Sequence, residues 1–149
     1  MSKIILTRHG HVEGIEPERF RGREPLDLTA RGRAQARAVA QRIVEGWRPS
    51  MIYTSPMSRC VATGAAIATA CGIAAEICDD LNDIDYGAWQ FMAFDQARRE
   101  NAVLFDAWFA TPQLVRFPKG ESLQDLLARG ANVLRMVLAR HAEDTIVLV

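Results

Sequence analysis

Short apolar runs alternate along this chain with longer stretches in which apolar residues recur every three or four positions. The short runs predict β-strands, and the periodic stretches predict amphipathic helices. The predicted strands are 4–6, 51–54, 73–78 and 145–149, and the predicted helices are 29–44, 58–71, 93–109 and 122–138. Because strands and helices alternate, the pattern indicates an α/β fold with a mostly parallel sheet covered by helices on both faces.

Polar residues follow two of the predicted strands at the point where each strand ends. Arg8 and His9 come directly after the first strand, and Arg59 lies in the first turn of the helix after the second strand. The carboxyl ends of parallel strands share one edge of a sheet, where ligands bind in open α/β folds. Guanidinium groups and a helix N-terminus both favour phosphate at such an edge. Taken singly, each of these side chains is weak evidence, because a solvated surface residue is common at such positions. Arg59 paired with Arg8 at an equivalent strand end favours phosphate binding.

Composition is typical of a modest globular protein, with 149 residues of which 49% are hydrophobic and 24% are charged. One domain over residues 1–149 is expected. Eighteen basic and eighteen acidic residues cancel, which argues against nucleic-acid or membrane partners. The three cysteines form no CxxC spacing, and no apolar run reaches membrane-spanning length. These features predict reduced thiols and a cytoplasmic location.

Two charged segments separate the predicted strands and helices. The loop 14–25 contains three arginines, and each is expected to be solvated when considered singly: Arg19, Arg21 and Arg23. After the third strand come four acidic residues, whose spacing does not match an EF-hand: Asp79, Asp80, Asp83 and Asp85. Closely spaced carboxylates raise one another's proton affinity, so one of them is a candidate general acid.

Five blocks of sequence, in order along nearly the whole chain, resemble the histidine phosphatase superfamily, also called phosphoglycerate mutase-like. The blocks are Thr7-Arg8-His9-Gly10, Leu28-Thr29-x-x-Gly32-x-x-Gln35-Ala36, Thr54-Ser55-Pro56-x-x-Arg59-x-x-x-Thr63, Leu81-Asn82-Asp83-x-x-Tyr86-Gly87-x-Trp89 and Gly120-Glu121-Ser122. The signatures of a dinucleotide fold and of a P-loop are absent.

This resemblance implies a phosphohistidine-mediated phosphatase that hydrolyses a small phosphate monoester. His9 would be the nucleophile, Arg8 and Arg59 would hold the phosphoryl oxygens, and Asp83 would be the proton donor. The resemblance implies that no metal and no cofactor is needed. It also implies a small phosphorylated substrate as partner, and a homodimer is one option for assembly. The chemistry fits these residue types, because imidazole is a competent nucleophile and guanidinium groups neutralise the transferred phosphoryl group.

The chain departs from the family pattern beside the first block. The family often has Glu or Gln, then Thr or Ser, and an Asn three positions later, where this chain has His11, Val12 and Ile15. Its acid position is more often Glu than Asp.

The family also carries a second histidine after the last strand, which is still running at Val149, so a missing C-terminal part is expected. His141 is no substitute, because it precedes that strand. We expect it at the opposite edge of the sheet, at the end of the long helix.

Three alternatives remain open on the sequence alone. One is a phosphoglycerate-type mutase, although the chain is short for that class. Another is a metal-dependent hydrolase that uses His9 and His11 with the carboxylates of residues 79–85. The last is a non-catalytic phosphate-binding protein that retains Arg8 and Arg59. The sequence does not name a physiological substrate.

Overall fold

The computed structural model describes every residue, Met1–Val149, and the chain forms two units. The first unit comprises Met1–Glu13, Pro25–Asn82 and Ala131–Val149, and the second comprises Gly14–Glu24 and Asp83–Gly130. The organisation as one domain over 1–149 stays a prediction. None of the helices combines the length and the apolar content that crossing a bilayer requires.

The first unit is built on a four-stranded sheet. Its strands are β1 (Lys3–Leu6), β2 (Met51–Thr54), β3 (Ala75–Ile77) and β4 (Thr145–Leu148). They are ordered β1-β4-β2-β3, and every neighbouring pair is parallel. The predicted parallel α/β sheet is therefore confirmed, and β3 is shorter than the sequence pattern suggested.

Helices cover both faces of this sheet. Successive side chains of a strand point to opposite faces, so the apolar residues of these strands need helices on both sides to bury them. On one face, strand residues pack with α1 (Ala30–Gly46) and α2 (Ser58–Cys71): Ile5, Ile52 and Val147 with Ala40, Ile43 and Ile67. On the other, they pack with the second half of α5 (Leu123–Arg140): Ile4, Tyr53, Ile146 and Leu148 with Val133 and Val137. The predicted coverage of both faces is thus observed.

The second unit has an aromatic core around Phe20. This side chain is 1% exposed, and its ring lies 4.5 to 6.3 Å from five other rings: Tyr86, Trp89, Phe94, Phe105 and Phe117. Ser122 caps α5 as predicted, since its Oγ accepts from the Asp125 N–H and the Asp125 carboxylate accepts from the Ser122 N–H.

The single helix predicted over 93–109 is wrong. The structure has two helices there, α3 (Phe94–Glu100) and α4 (Ala102–Ala110), separated by Asn101. The Asn101 backbone is not helical, and its side chain accepts from the Leu104 N–H at 3.0 Å. Asparagine favours such N-caps, because its side chain satisfies a donor that the helix itself leaves unpaired.

The loop after β1 passes the start of α1 at very close range. A Cβ atom on Gly10 would overlap the Gly32 carbonyl, and a Cβ on Gly32 would overlap the His11 carbonyl. Both obstacles are backbone atoms, which cannot swing aside as a side chain can. Glycine at these two positions therefore allows the loop that carries His9 to lie against α1.

We predict that Gly32→Ala destabilises the fold by about 1 to 3 kcal/mol, the usual cost of overpacking. The matched control is Gly130→Ala in α5, where a Cβ would meet nothing within 4 Å. This control should stabilise by up to about 1 kcal/mol through helix propensity. Urea unfolding of both variants gives the comparison, and equal stabilities would contradict the close approach.

Candidate functional site

The ends of β1 and β2 carry the residues that the sequence singled out. Arg8 and His9 follow β1, and Arg59 lies in the first turn of α2, which follows β2. Strand β4 lies between β1 and β2, and all three strands run in the same direction. The N–H groups of Thr7 and Ser55 each donate to the end of β4, both at 2.9 Å. The structure therefore brings Arg8, His9 and Arg59 to one sheet edge.

A buried hydroxyl joins the His9 loop to the Arg59 turn. Thr63 is 0% exposed, and its Oγ1 accepts from the Gly10 N–H at 3.3 Å. The same hydroxyl donates to the Arg59 carbonyl at 2.8 Å. Sequence reasoning placed Thr63 in a motif but gave it no role. Its spacing of four residues from Arg59 was the available signal, because such residues share a helix face.

A hydrogen bond to the backbone orients the His9 imidazole. Its Nδ1 lies 2.7 Å from the carbonyl oxygen of Gly10. Because a carbonyl only accepts, the neutral ring carries its proton on Nδ1 and its lone pair on Nε2. His9 is half-buried, and it lines a cavity of about 250 Å³ with Arg8, Gly10, Gln35, Ala36 and Val39.

The two arginines at this edge differ in depth. Arg8 is exposed, whereas Arg59 is 1% exposed and is the largest of the fully buried side chains. In surroundings of low dielectric constant, a guanidinium attracts an anion more strongly than it does in water. The pair therefore combines an accessible cation with a buried one, which suits a bound oxyanion.

His11 contacts the N-terminus of α1. Its N–H donates to Gln35 Oε1 at 2.8 Å, and its Nδ1 lies 2.9 Å from the hydroxyl of Thr29, the N-cap of α1. No three His, Cys, Asp or Glu side chains are grouped as metal ligands. The structure thus offers no ligand set for the metal-dependent alternative.

His141 lies where the sequence predicted. Its N–H donates to the Val137 carbonyl at the end of α5, and it precedes the first residue of β4. Its ring lies 3.0 Å from the Tyr53 hydroxyl and 3.1 Å from the Asp144 carboxylate. His141 is therefore at the sheet edge opposite Arg8 and Arg59, where it cannot replace a histidine beside them.

Asp83 and Asp85 belong to the second unit, in a segment bonded to Glu121. The Asp85 N–H donates to Glu121 Oε2 at 3.0 Å, and the Glu121 N–H donates to the Asp85 carbonyl at 2.8 Å. The Asp83 carboxylate accepts from the Ile84 N–H at 2.8 Å. Burial, followed by the negative charge of Asp83, raises the pKa of Tyr86 to about 12, so this phenol stays protonated at neutral pH.

Two arginines surround the Glu121 carboxylate. Arg23 donates to its Oε1 at 2.8 Å, and Arg129 donates to both oxygens at 3.1 and 2.8 Å. Burial alone would raise the pKa of Glu121, but hydrogen bonds from Arg129 and Asp85, with the charges of both arginines, outweigh it and lower that pKa. The carboxylate is therefore ionised at neutral pH.

The expectation that the loop arginines are solvated is wrong. Arg23 binds Glu121, Arg19 donates to the Phe91 carbonyl at 3.0 Å, and Arg21 donates to the Gly14 carbonyl at 3.0 Å. These acceptors come from distant segments or from a loop that folds back on itself. Local sequence spacing gave no signal of them.

Comparison with known proteins agrees with the sequence blocks. The family model for the histidine phosphatase superfamily (branch 1) matches residues 4–149. Phosphoserine phosphatase 1 of Hydrogenobacter thermophilus is 33% identical over 149 residues, which is 100% of this chain and 70% of that protein. Metal-independent phosphoserine phosphatase of Arabidopsis thaliana is 26% identical over 152 residues, covering 100% of this chain and 63% of that protein.

A solved structure supports the same assignment. Bacillus stearothermophilus YhfR matches with a TM-score of 0.93 and 26% identity, covering 99% of this chain and 73% of that one. The α/β fold, the family resemblance and the expected class, a histidine-type phosphomonoesterase, are thereby confirmed. This chain belongs to the histidine phosphatase superfamily, branch 1.

Proposed function

We propose that this protein hydrolyses a small phosphate monoester through a phosphohistidine formed on His9. The observation that carries the proposal is the bond between His9 Nδ1 and the Gly10 carbonyl, at the sheet edge that also carries Arg8 and Arg59. This bond leaves the lone pair on Nε2, which is the form of imidazole that can attack phosphorus.

The reaction proceeds in two displacements. Nε2 of His9 attacks phosphorus, a P–N bond forms, and the P–O bond to the leaving group breaks. The leaving oxygen takes a proton from Asp83, whose assignment as the acid rests on its place in the sequence block 81–89. Water then attacks phosphorus and returns a proton to the Asp83 carboxylate. The P–N bond breaks, and inorganic phosphate and free His9 result.

Arg8 and Arg59 act by holding the phosphoryl oxygens. Most of the catalytic work in phosphoryl transfer is positioning and charge stabilisation, so two guanidinium groups at one sheet edge are well matched to it. Arg59 adds the stronger attraction expected of a buried charge, and Thr63 holds its turn of α2 against the His9 loop.

The names of two relatives support a proposal for the substrate class. Two of them are phosphoserine phosphatases, and we therefore propose a small monoester with an alkyl leaving group, such as phosphoserine. Alkyl alkoxides are poor leaving groups, so this class of substrate needs a proton donor. None of the three cysteines forms a disulfide, which fits the proposed cytoplasmic location. A homodimer and the lack of a nucleic-acid partner remain predictions.

His9→Ala should abolish phosphate release and trapping of labelled phosphate on the protein, because no other group supplies the nucleophile. The measurement is acid-quenched labelling and steady-state turnover of the natural protein. His141→Asn, at the opposite sheet edge, is the control and should retain both signals. Turnover by folded His9→Ala would contradict the nucleophile assignment, whereas a wild-type protein that binds phosphate without turnover would favour the non-catalytic alternative.

Thr63→Val should weaken binding of phosphate or vanadate, because the His9 loop loses its link to the Arg59 turn. It should also cost about 1 to 3 kcal/mol of stability, since the buried Gly10 N–H loses its acceptor. Thr69→Val changes an exposed threonine of the same helix and is the matched control. Calorimetric titration and thermal unfolding measure both effects. If both variants bind vanadate equally well, the hydroxyl does not organise the site.

Asp83→Asn should lower kcat on an alkyl phosphate by about 100-fold or more, the lower end of the range for general acid catalysis. Turnover of nitrophenyl phosphate should change little, because its leaving oxygen needs almost no protonation. The control is Asp95→Asn, an exposed carboxylate of the second unit. An equal loss on both substrates would remove Asp83 from the acid role.

A further inference from the structure

We propose that Glu121, held between Arg23 and Arg129, is a positioning residue that fixes the Asp83–Asp85 segment for proton delivery. This inference rests on the proposed function, because it takes Asp83 as the acid. Glu121, Arg23 and Arg129 are called the Glu121 cluster below, and all three lie in the second unit together with the segment they hold.

The Glu121 carboxylate has four donors, two on each oxygen. Oε1 accepts from Arg23 Nη2 at 2.8 Å and from Arg129 Nε at 3.1 Å. Oε2 accepts from Arg129 Nη2 at 2.8 Å and from the Asp85 N–H at 3.0 Å. Arg129 thus grips both oxygens at once, which is the geometry that gives a guanidinium–carboxylate pair its direction.

The same two arginines also bind the backbone of Asp83. The Asp83 carbonyl accepts from Arg23 Nε at 3.0 Å and from Arg129 Nη2 at 3.4 Å. Asp85 is held at its N–H and its carbonyl by Glu121 directly, and its carboxylate lies 3.6 Å from Arg23 Nη1. The backbone on both sides of Ile84 is therefore fixed by one carboxylate and its two partners.

Burial distinguishes this cluster from an ordinary surface ion pair. The side chains of Glu121 and Arg129 are 19% and 17% exposed, and that of Arg23 is 32% exposed. In the Asp95–Arg99 pair of the same unit, the two side chains are 72% and 69% exposed. Such exposed pairs contribute little to stability, whereas partly buried, two-point contacts hold their partners in one geometry.

The contacts predict which catalytic step depends on Glu121. The contacts of Glu121 and its two arginines are made to the backbone of the segment that carries the proposed acid. Loss of these contacts should therefore slow protonation of the leaving group. A purely structural role would instead lower turnover of every substrate by the same factor, through the fraction of folded protein. The dependence on the leaving group therefore separates the two roles.

The test is Glu121→Gln in the natural protein, alone and combined with Asp83→Asn. The amide keeps the size of the side chain but removes its charge and one of its two acceptor oxygens. We expect kcat for phosphoserine to fall by about tenfold, a fraction of the full acid contribution, with KM and nitrophenyl phosphate turnover nearly unchanged. In the Asp83→Asn background, the same substitution should cost little, because the positioned acid is already gone.

Asp95→Asn, which breaks an exposed carboxylate–arginine pair, is the matched control and should change neither substrate. Independent, multiplying losses in the double variant, or equal losses on both substrates, would overturn the positioning role while leaving the acid assignment intact. If Asp83→Asn alone shows no dependence on the leaving group, the acid assignment fails and the inference fails with it.

Arg129→Lys carries the same test if Glu121→Gln does not fold. Lysine keeps the charge but cannot grip both carboxylate oxygens in one plane. We expect the same selective loss of phosphoserine turnover. In the Asp83→Asn background, Arg129→Lys should cause little further loss. Unchanged phosphoserine turnover in folded Arg129→Lys would overturn the proposal.

Discussion

The double pairing of β4 is the constraint on which the rest of the first unit depends. Val147 lies opposite Ile5 of β1 and opposite Ile52 of β2, both in parallel register. Since a shift of one residue would exchange the two faces of a strand, the buried side chains on both sides of β4 fix this register. The same register sets the ends of β1 and β2 level, and so determines where Arg8, His9 and Arg59 lie.

Gly10 then fixes the position of the His9 side chain more precisely. Its carbonyl orients the His9 ring, its N–H is held by Thr63, and its lack of a side chain allows contact with Gly32. Three requirements thus meet at one residue, and a Cβ atom there would overlap the Gly32 carbonyl. A nucleophile needs such support, because small displacements of a reacting atom lower rates steeply.

How much could be predicted from the sequence depends on the range of the interaction. Apolar runs and helix caps are local, so the sheet, α1, α2 and the Ser122 cap were predicted correctly. The break at Asn101 was missed because the apolar pattern of the two helices continues across it, and the cap competes with that pattern. Arg23 and Glu121 are 98 residues apart in sequence, and their contact has no local signature. The sequence blocks named Glu121 and Thr63, but their roles depend on tertiary contacts.

The Glu121 cluster is a costly way to hold a loop, and this cost is an argument for its role. The second unit already has an aromatic core around Phe20, and apolar packing supplies stability without the desolvation of charges. What packing does not supply is direction, since apolar contacts fix a backbone carbonyl less sharply than two guanidinium donors do. A carboxylic acid that must meet a leaving oxygen needs its backbone fixed in direction as well as in position. Glu121, Arg23 and Arg129 place their charged groups against the backbone of Asp83 and Asp85. That requirement explains this arrangement more simply than a contribution to stability does.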